Sequence, residues 1–76
     1  MTNQELAHIL NDMYNDGSKK GEATTMVRLF GIKYADELTL NNEELKKLAK
    51  LANLKESYAT EIYKGIKLAK YVIVKG

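Results

Sequence analysis

The sequence predicts an all-α fold, a compact domain of four to five helices, and three observations support that class. Proline, the residue that most strongly interrupts helices, is absent from the 76 residues. Apolar residues recur at intervals of three and four, which is the spacing of one helix face. β-Branched and aromatic runs are few, and the main one, at 71–74, favours a short extended C-terminal arm.

Composition limits what the chain can be. We expect residues 1–76 to form a single helical domain, and a chain of this size buries only about 60% of its unfolded surface. The sequence has no cysteine, which excludes disulfides and a thiolate nucleophile and suits a reducing cytoplasm, where we expect the protein. No apolar run approaches the roughly 18 residues of a membrane span, and the N-terminus does not have the pattern of a signal peptide.

Residues for catalysis are scarce. The only histidine, His8, has no serine, cysteine or second histidine at catalytic or ligand spacing, and we assign it no role. No carboxylate pair is isolated among apolar residues, and no cofactor motif occurs. We therefore expect a non-enzymatic protein with no catalytic, cofactor or metal residues and no small-molecule substrate.

The first helix is predicted to begin at a capping box. Thr2 stands three residues before Glu5, so that each side chain can accept a hydrogen bond from the other residue's amide. The inward face of this helix comprises Leu6, Ala7, Ile9, Leu10, Met13 and Tyr14. Turn-forming residues fill 15–21, which we expect to be a loop because it contains two glycines and no apolar side chain.

Two glycines are predicted to interrupt the second and the last helix. If the helix at 22–30 ran straight past Gly31, the apolar residues that follow would turn towards solvent, so we expect a break or bend there. By the same reasoning we expect an interruption at Gly65 that returns Leu68 to the core. The segments that begin at these glycines read GIKYA and GIKLA, and this repetition predicts two helical hairpins packed as a pseudo-repeat.

Residues 43–64 are predicted to form two helices joined by a tight bend. Asn41 or Asn42 would cap the first helix. Asn53 can adopt the left-handed backbone that ends a helix, and Leu54 would anchor the bend from below. The inward positions of the two helices are Leu45, Leu48, Ala49, Ala52, Ala59 and Ile62.

The order of these positions resembles the helix-turn-helix of DNA-binding proteins. In that motif a small residue, here Ala49, lets the helices cross closely, a left-handed residue makes the bend, and apolar residues fix the interhelical angle. The family usually has glycine where this chain has Asn53. The resemblance implies that the second helix enters the major groove of double-stranded DNA; the alternative is a helical hairpin with a purely structural role.

The resemblance also implies which side chains contact DNA. The second helix and the residues that lead into it would present Lys55, Ser57, Tyr58, Thr60, Glu61, Lys64 and Lys67. Lysines would meet phosphate or guanine, the hydroxyls phosphate or base, and Glu61 the N4 of cytosine. Tyr58 would either reach a phosphate or be half-buried. The first helix would add Lys46, Lys47 and Lys50 as backbone contacts, against the alternative of a plainly solvated face.

Charge is distributed unevenly along the chain. Residues 1–41 carry four Lys/Arg and six Asp/Glu, a net charge of −2, whereas residues 42–76 carry eight lysines and four glutamates, a net charge of +4. The basic half contains the helix-turn-helix pattern, and a field of this kind steers polyanions towards one face.

The sequence has three further interpretations. The stretches EATTMVRLFGIKYADEL and YATEIYKGIKLAKYV are similar to small bacterial HTH-like domains of restriction or mobile-element proteins, which implies a DNA-targeting module. A helix-hairpin-helix is less consistent, because no glycine follows Leu54. A protein-interaction or assembly domain, as a homodimer or with a protein partner, would use the apolar segment 71–74 and an exposed Leu68.

Overall fold

Four α-helices form from the amphipathic segments of the chain in the computed structural model, which describes residues 1–38 and 41–72. The helices are α1 (Asn3–Lys19), α2 (Ala23–Lys33), α3 (Asn42–Leu51) and α4 (Tyr58–Leu68), and a 3-10 turn at Ala35–Glu37 follows α2. No strand occurs in the described residues. The predicted all-α class is therefore confirmed.

Side-chain caps start two of the helices. The Thr2 amide donates to Glu5 Oε1 at 3.1 Å and the Glu5 amide donates to Thr2 Oγ1 at 3.1 Å, which confirms the capping box. The hydrogen bond from the Thr2 amide, and then the Thr2 side chain, lower the pKa of the Glu5 carboxyl. At α3, the Asn41 side chain accepts from the amides of Glu43 and Glu44 at 3.0 and 3.4 Å, so Asn41 is the N-cap.

All four helices contribute to one core. α2 lies at its centre and packs most extensively against α4 and then α1, while α3 packs on α4 and α1. The largest fully buried side chains are Leu10, Val27, Phe30, Leu45 and Ile62. The remaining core residues are Leu6, Ala7, Leu48, Ala49, Ala52, Leu54, Ala59 and Ile66.

The predicted loop at 15–21 is mostly helix, and that prediction was wrong. α1 continues through Gly17 to Lys19. Gly17 is buried where α2 begins, and a Cβ there would lie 2.5 Å from Met26 Cγ and 2.8 Å from the Glu22 carbonyl oxygen. This glycine therefore makes room for α2 and does not form a turn. The turn is made instead by Gly21, which has a φ of 71°. The Glu22 amide then donates to Gly17 O at 2.6 Å, closing a Schellman motif.

The predicted interruptions at Gly31 and Gly65 were also wrong. Both α2 and α4 run through their glycine without a break. The two glycines face each other: a Cβ on Gly31 would lie 2.5 Å from the Ile62 carbonyl oxygen, and a Cβ on Gly65 would clash with the Arg28 carbonyl oxygen. The repeated segments thus lie across one another, and glycine serves close backbone packing rather than bending.

A straight α4 leaves its last turn partly outside the core. Ile66 is buried, but Leu68 is 43% exposed, so the expectation that it rejoins the core was wrong. Tyr71 ends the turn that follows α4, Val72 comes next, and both are exposed. The rest of the predicted arm at 71–74 lies outside the described residues. Within the described chain, no helix combines the length and apolarity needed to cross a membrane.

Candidate nucleic-acid interface

The bend between α3 and α4 is built by the backbone around Asn53. This is the one described residue other than glycine with a positive φ, 63°. The Asn53 amide donates to Lys50 O at 2.9 Å and the Leu54 amide donates to Ala49 O at 2.8 Å, which is a complete Schellman motif. Leu54, only 7% exposed, packs into the core beneath the bend. The predicted left-handed Asn53 and buried Leu54 are both confirmed.

A short turn leads from the bend into α4. The amides of Tyr58, Ala59 and Thr60 donate to the carbonyl oxygens three residues earlier at 3.0, 2.9 and 3.2 Å. Ala59 and Ile62 face inward and are 1% and 0% exposed, as the spacing predicts. With these two positions fixed in the core, the opposite side of α4 faces solvent.

Asn11 of α1 holds the bend from outside the motif, and the sequence analysis gave it no role. Its Nδ2 donates to the Ala52 carbonyl oxygen at 2.8 Å, immediately before Asn53. Asn15 Nδ2 donates in turn to Asn11 Oδ1 at 3.0 Å and orients the amide. Asn11 and Ala52 are 41 positions apart, so no local pattern in the sequence indicates this contact.

The exposed face of α4 and of the turn before it carries most of the predicted contact residues. Lys55, Ser57, Thr60, Lys64 and Lys67 are exposed there. Among the described groups, Lys55 has no ion pair, and the Lys67 ammonium lies 5.3 Å from the centre of the Tyr63 ring. Two lysine ammonium groups of this face are thus available to an incoming anion.

The three predicted lysines of α3 pair with nearby carboxylates. Lys46 Nζ lies 3.6 Å from Glu43 Oε1, and Lys47 Nζ lies 3.6 Å from Glu44 Oε1. Lys50 Nζ lies 2.9 Å from the Oε1 of Glu56, and this hydrogen bond raises the pKa of Lys50 and lowers the pKa of Glu56. Such surface pairs contribute little and are screened by salt. A phosphate can therefore replace the carboxylate at little cost.

The Glu61 side chain is held by two cations, one from α2 and one from α4. Arg28 Nε donates to Glu61 Oε2 at 2.9 Å, and Lys64 Nζ approaches Glu61 Oε1 at 3.5 Å. The Glu61 side chain is only 16% exposed, and the Arg28 guanidinium lowers its pKa. The expectation that Glu61 stands free on the outer face is corrected: it joins α4 to α2. Arg28 and Glu61 are 33 positions apart, so local periodicity could not place them side by side.

Tyr58 is half-buried, which is the second of the two placements predicted for it. Its ring packs edge-on against the Tyr14 ring, with centroids 5.4 Å apart and an interplanar angle of 77°. Burial, and then the neighbouring Tyr14, raise the pKa of Tyr58. The ring joins α1 to the start of α4, so that Tyr58 helps to fix this helix.

These features define a helix-turn-helix: two short helices, a left-handed bend between them, an apolar anchor under the bend and an exposed second helix. Comparison with known families agrees. The profile described as HTH-like domain matches residues 2–75, and the chain belongs to that family. No match was found among curated proteins or among solved structures.

Proposed function

We propose that this chain is a non-enzymatic DNA-binding module that places α4 in the major groove of double-stranded DNA. The observation that carries the proposal is the bend at Asn53, which turns the buried side of α4 inward and leaves a hydroxyl and lysine face outward. Helix-turn-helix proteins read base edges with the N-terminal part of the second helix. Membership of the HTH-like domain family supports the same conclusion.

The proposed contacts divide into two groups. Ser57 and Thr60 would bond base edges or phosphate near the start of α4, with Tyr58 positioning that turn. The lysines would contact phosphates and guanine: Lys55, Lys64 and Lys67 from the α4 side, and Lys46, Lys47 and Lys50 from α3. Glu61 is not included, because its carboxylate is bound by Arg28.

Binding of this kind depends on salt. If about four lysines neutralise phosphates, raising the salt concentration from about 50 to 200 mM should weaken affinity for a short duplex by roughly 10². Fluorescence anisotropy with a labelled random-sequence duplex measures this slope. Affinity that does not change with salt would contradict the proposal.

A pair of double variants localises the interface. Lys55→Ala with Lys64→Ala should weaken duplex binding and reduce the salt slope by about two, since two phosphate contacts are lost. Lys19→Ala with Lys20→Ala removes the same charge at the end of α1 and should matter much less. NMR titration of the unmodified chain should shift the amides of residues 55–64. Equal losses in both double variants would show attraction by net charge alone.

A further inference from the structure

A groove lies between α2 and the last turn of α4. It has a volume of about 340 Å³ and is lined by Arg28, Lys64, Lys67, Leu68 and Tyr71. We refer to Leu68 and Tyr71 as its apolar base and to the three cations as its rim. Its residues come from segments about 40 positions apart, so it exists only once α2 and α4 have packed.

The apolar part of the groove is a cluster rather than a scatter of single residues. Five large hydrophobic side chains are exposed in the described chain, and three of them lie at 68, 71 and 72. Leu68 is 43% exposed, Tyr71 82% and Val72 44%. Met1 and Leu51 are the isolated cases, and isolated exposed apolar residues are normal on protein surfaces. A contiguous apolar patch with a polar rim marks an interaction site.

The charges around this patch select the partner. The groove residues include three cations, and a carboxylate that contacts two of them, Glu61, accepts from Arg28 at 2.9 Å and lies 3.5 Å from Lys64. Three positive charges and one negative charge leave the groove with a net charge of +2. Charge complementarity therefore favours an acidic occupant, and the apolar base favours one that also carries hydrophobic side chains.

We infer that this groove docks an acidic amphipathic helix of another protein. One or two apolar side chains of that helix would cover Leu68 and Tyr71, and its carboxylates would meet Lys64 and Lys67. This is the helix-in-groove mode of recognition, in which residues on one face of the bound helix act as anchors. The inference does not depend on DNA binding.

Two other occupants fit less well. A second copy of this chain across a two-fold axis would bring the same cationic rim against itself, and like charges oppose such an interface. DNA phosphates would leave the exposed apolar side chains uncovered. Ser57 also lies about 16 Å from Leu68 at 1.5 Å of rise per residue. The start of α4 and the apolar part of the groove are therefore separate, whereas Lys64 and Lys67 belong to both the groove and the proposed DNA face.

The test uses a labelled helical peptide of about 15 residues, long enough for partial helicity, with leucines at helical spacing and glutamates beside them. A scrambled peptide of the same composition and a peptide with lysine in place of glutamate are the controls. We expect the acidic amphipathic peptide to bind the full chain with a Kd below about 1 mM, and the controls to bind at least about tenfold more weakly.

Variants then locate the site. Leu68→Ser with Tyr71→Ser should weaken peptide binding at least about tenfold while duplex DNA binding is unchanged. Leu51→Ser is the matched control, because Leu51 is also an exposed leucine in the last turn of a helix, 51% exposed. It should leave peptide binding unchanged. Circular dichroism confirms that each variant is folded.

Several results would overturn the inference. The acidic peptide failing to bind, or binding no better than its scrambled form, removes the proposed partner. Equal effects of the Leu51 and Leu68–Tyr71 substitutions would show non-specific adhesion. A concentration-dependent dimer that Leu68→Ser dissolves would assign the patch to a second copy. Duplex DNA that shifts the amides of Leu68 and Tyr71 as strongly as those of residues 55–64 would assign it to DNA.

Discussion

Two asparagines act at the same bend from different parts of the chain. Asn53 supplies the left-handed backbone, and Asn11 Nδ2 donates to the carbonyl oxygen of the residue before it, Ala52. That carbonyl belongs to the C-cap of α3 and has no continuing helix to provide a donor. The start of α4 thus depends on a side chain of α1.

Asn11→Ala should destabilise the protein by about 1–2 kcal/mol, because the Ala52 carbonyl loses its side-chain donor in a part-buried place. Urea unfolding followed by circular dichroism measures this difference. Asn42→Ala, at an exposed asparagine at the start of α3, is the control and should change stability by less than about 0.5 kcal/mol. Similar losses in both variants would contradict a specific role for Asn11.

Substitutions at Asn53 separate backbone conformation from side-chain contacts. Asn53→Gly should be tolerated within about 0.5 kcal/mol, whereas Asn53→Ala should cost about 1 kcal/mol, since alanine pays more to adopt a positive φ. The same unfolding measurement applies. Gly21→Ala tests the same conformational cost at a second position, because Gly21 has a φ of 71° and a new Cβ there would meet no neighbouring atom within 4 Å. An Asn53→Ala variant as stable as Asn53→Gly would show that the bend does not need the left-handed conformation.

At the level of the helices, α2 and α4 cross closely because each has a glycine at the crossing. Gly31 and Gly65 let the two backbones touch: a Cβ on Gly31 would lie 3.1 Å from the Gly65 Cα, and a Cβ on Gly65 would lie 3.0 Å from the Gly31 Cα. Backbone atoms cannot rotate away as the end of a side chain can. The helices must separate to admit even one methyl group.

Gly65→Ala should therefore destabilise the protein by about 2–3 kcal/mol, at the upper end of the usual cost of overpacking, even though alanine is the better helix former. Thr60→Ala, at an exposed position of the same helix, should stay within about 0.5 kcal/mol. Thermal and urea unfolding both report the difference. A Gly65→Ala protein as stable as the parent would mean that α2 and α4 move apart freely.

At the scale of the whole molecule, the ion pair between Arg28 and Glu61 joins the acidic and basic halves of the chain, and it is the one such pair among residues 1–38 and 41–72. Arg28 lies in the half with a net charge of −2, and Glu61 in the half with a net charge of +4. Arg28 donates to both carboxylate oxygens, at 2.9 and 3.4 Å. Each partner thus has a charge opposite to the net charge of its own half. The pair joins α2 to α4, the helix that we propose enters DNA.

This pair predicts a pH dependence of stability. Arg28 lowers the pKa of Glu61 below its ordinary value of 4.5, so the ionised form stabilises the fold above that pH and the contribution is lost as pH falls through the lower folded-state value. The difference in unfolding free energy between the parent and Glu61→Gln should be constant near neutral pH and shrink below about pH 4.5.

Urea unfolding at a series of pH values makes the measurement. Arg28→Gln is the companion variant: in its background Glu61→Gln should have a much smaller effect at neutral pH, because the pair is already broken. A parent-minus-variant difference that stays constant down to acid pH would contradict a role for the Glu61 carboxylate.

The sequence by itself determined the all-helical class, the start of α1 and the bend between α3 and α4. Thr2 and Glu5 define a capping box within four residues, and the spacing of Leu48, Ala49, Asn53 and Leu54 defines the turn. These are local properties, set by helical periodicity and by which residues tolerate a positive φ. They sufficed to predict the all-α class, the buried positions on both sides of the bend and the outward lysines.

Only the tertiary structure decided what the glycines do and which polar groups meet. A glycine that bends a helix and one that admits a second backbone look the same in a sequence, so Gly17, Gly31 and Gly65 were misinterpreted. Asn11 and Ala52, like Arg28 and Glu61, are joined across more than 30 residues, and no periodicity connects them. Helix formation follows from neighbours along the chain, whereas these contacts follow from how closely the finished helices pack.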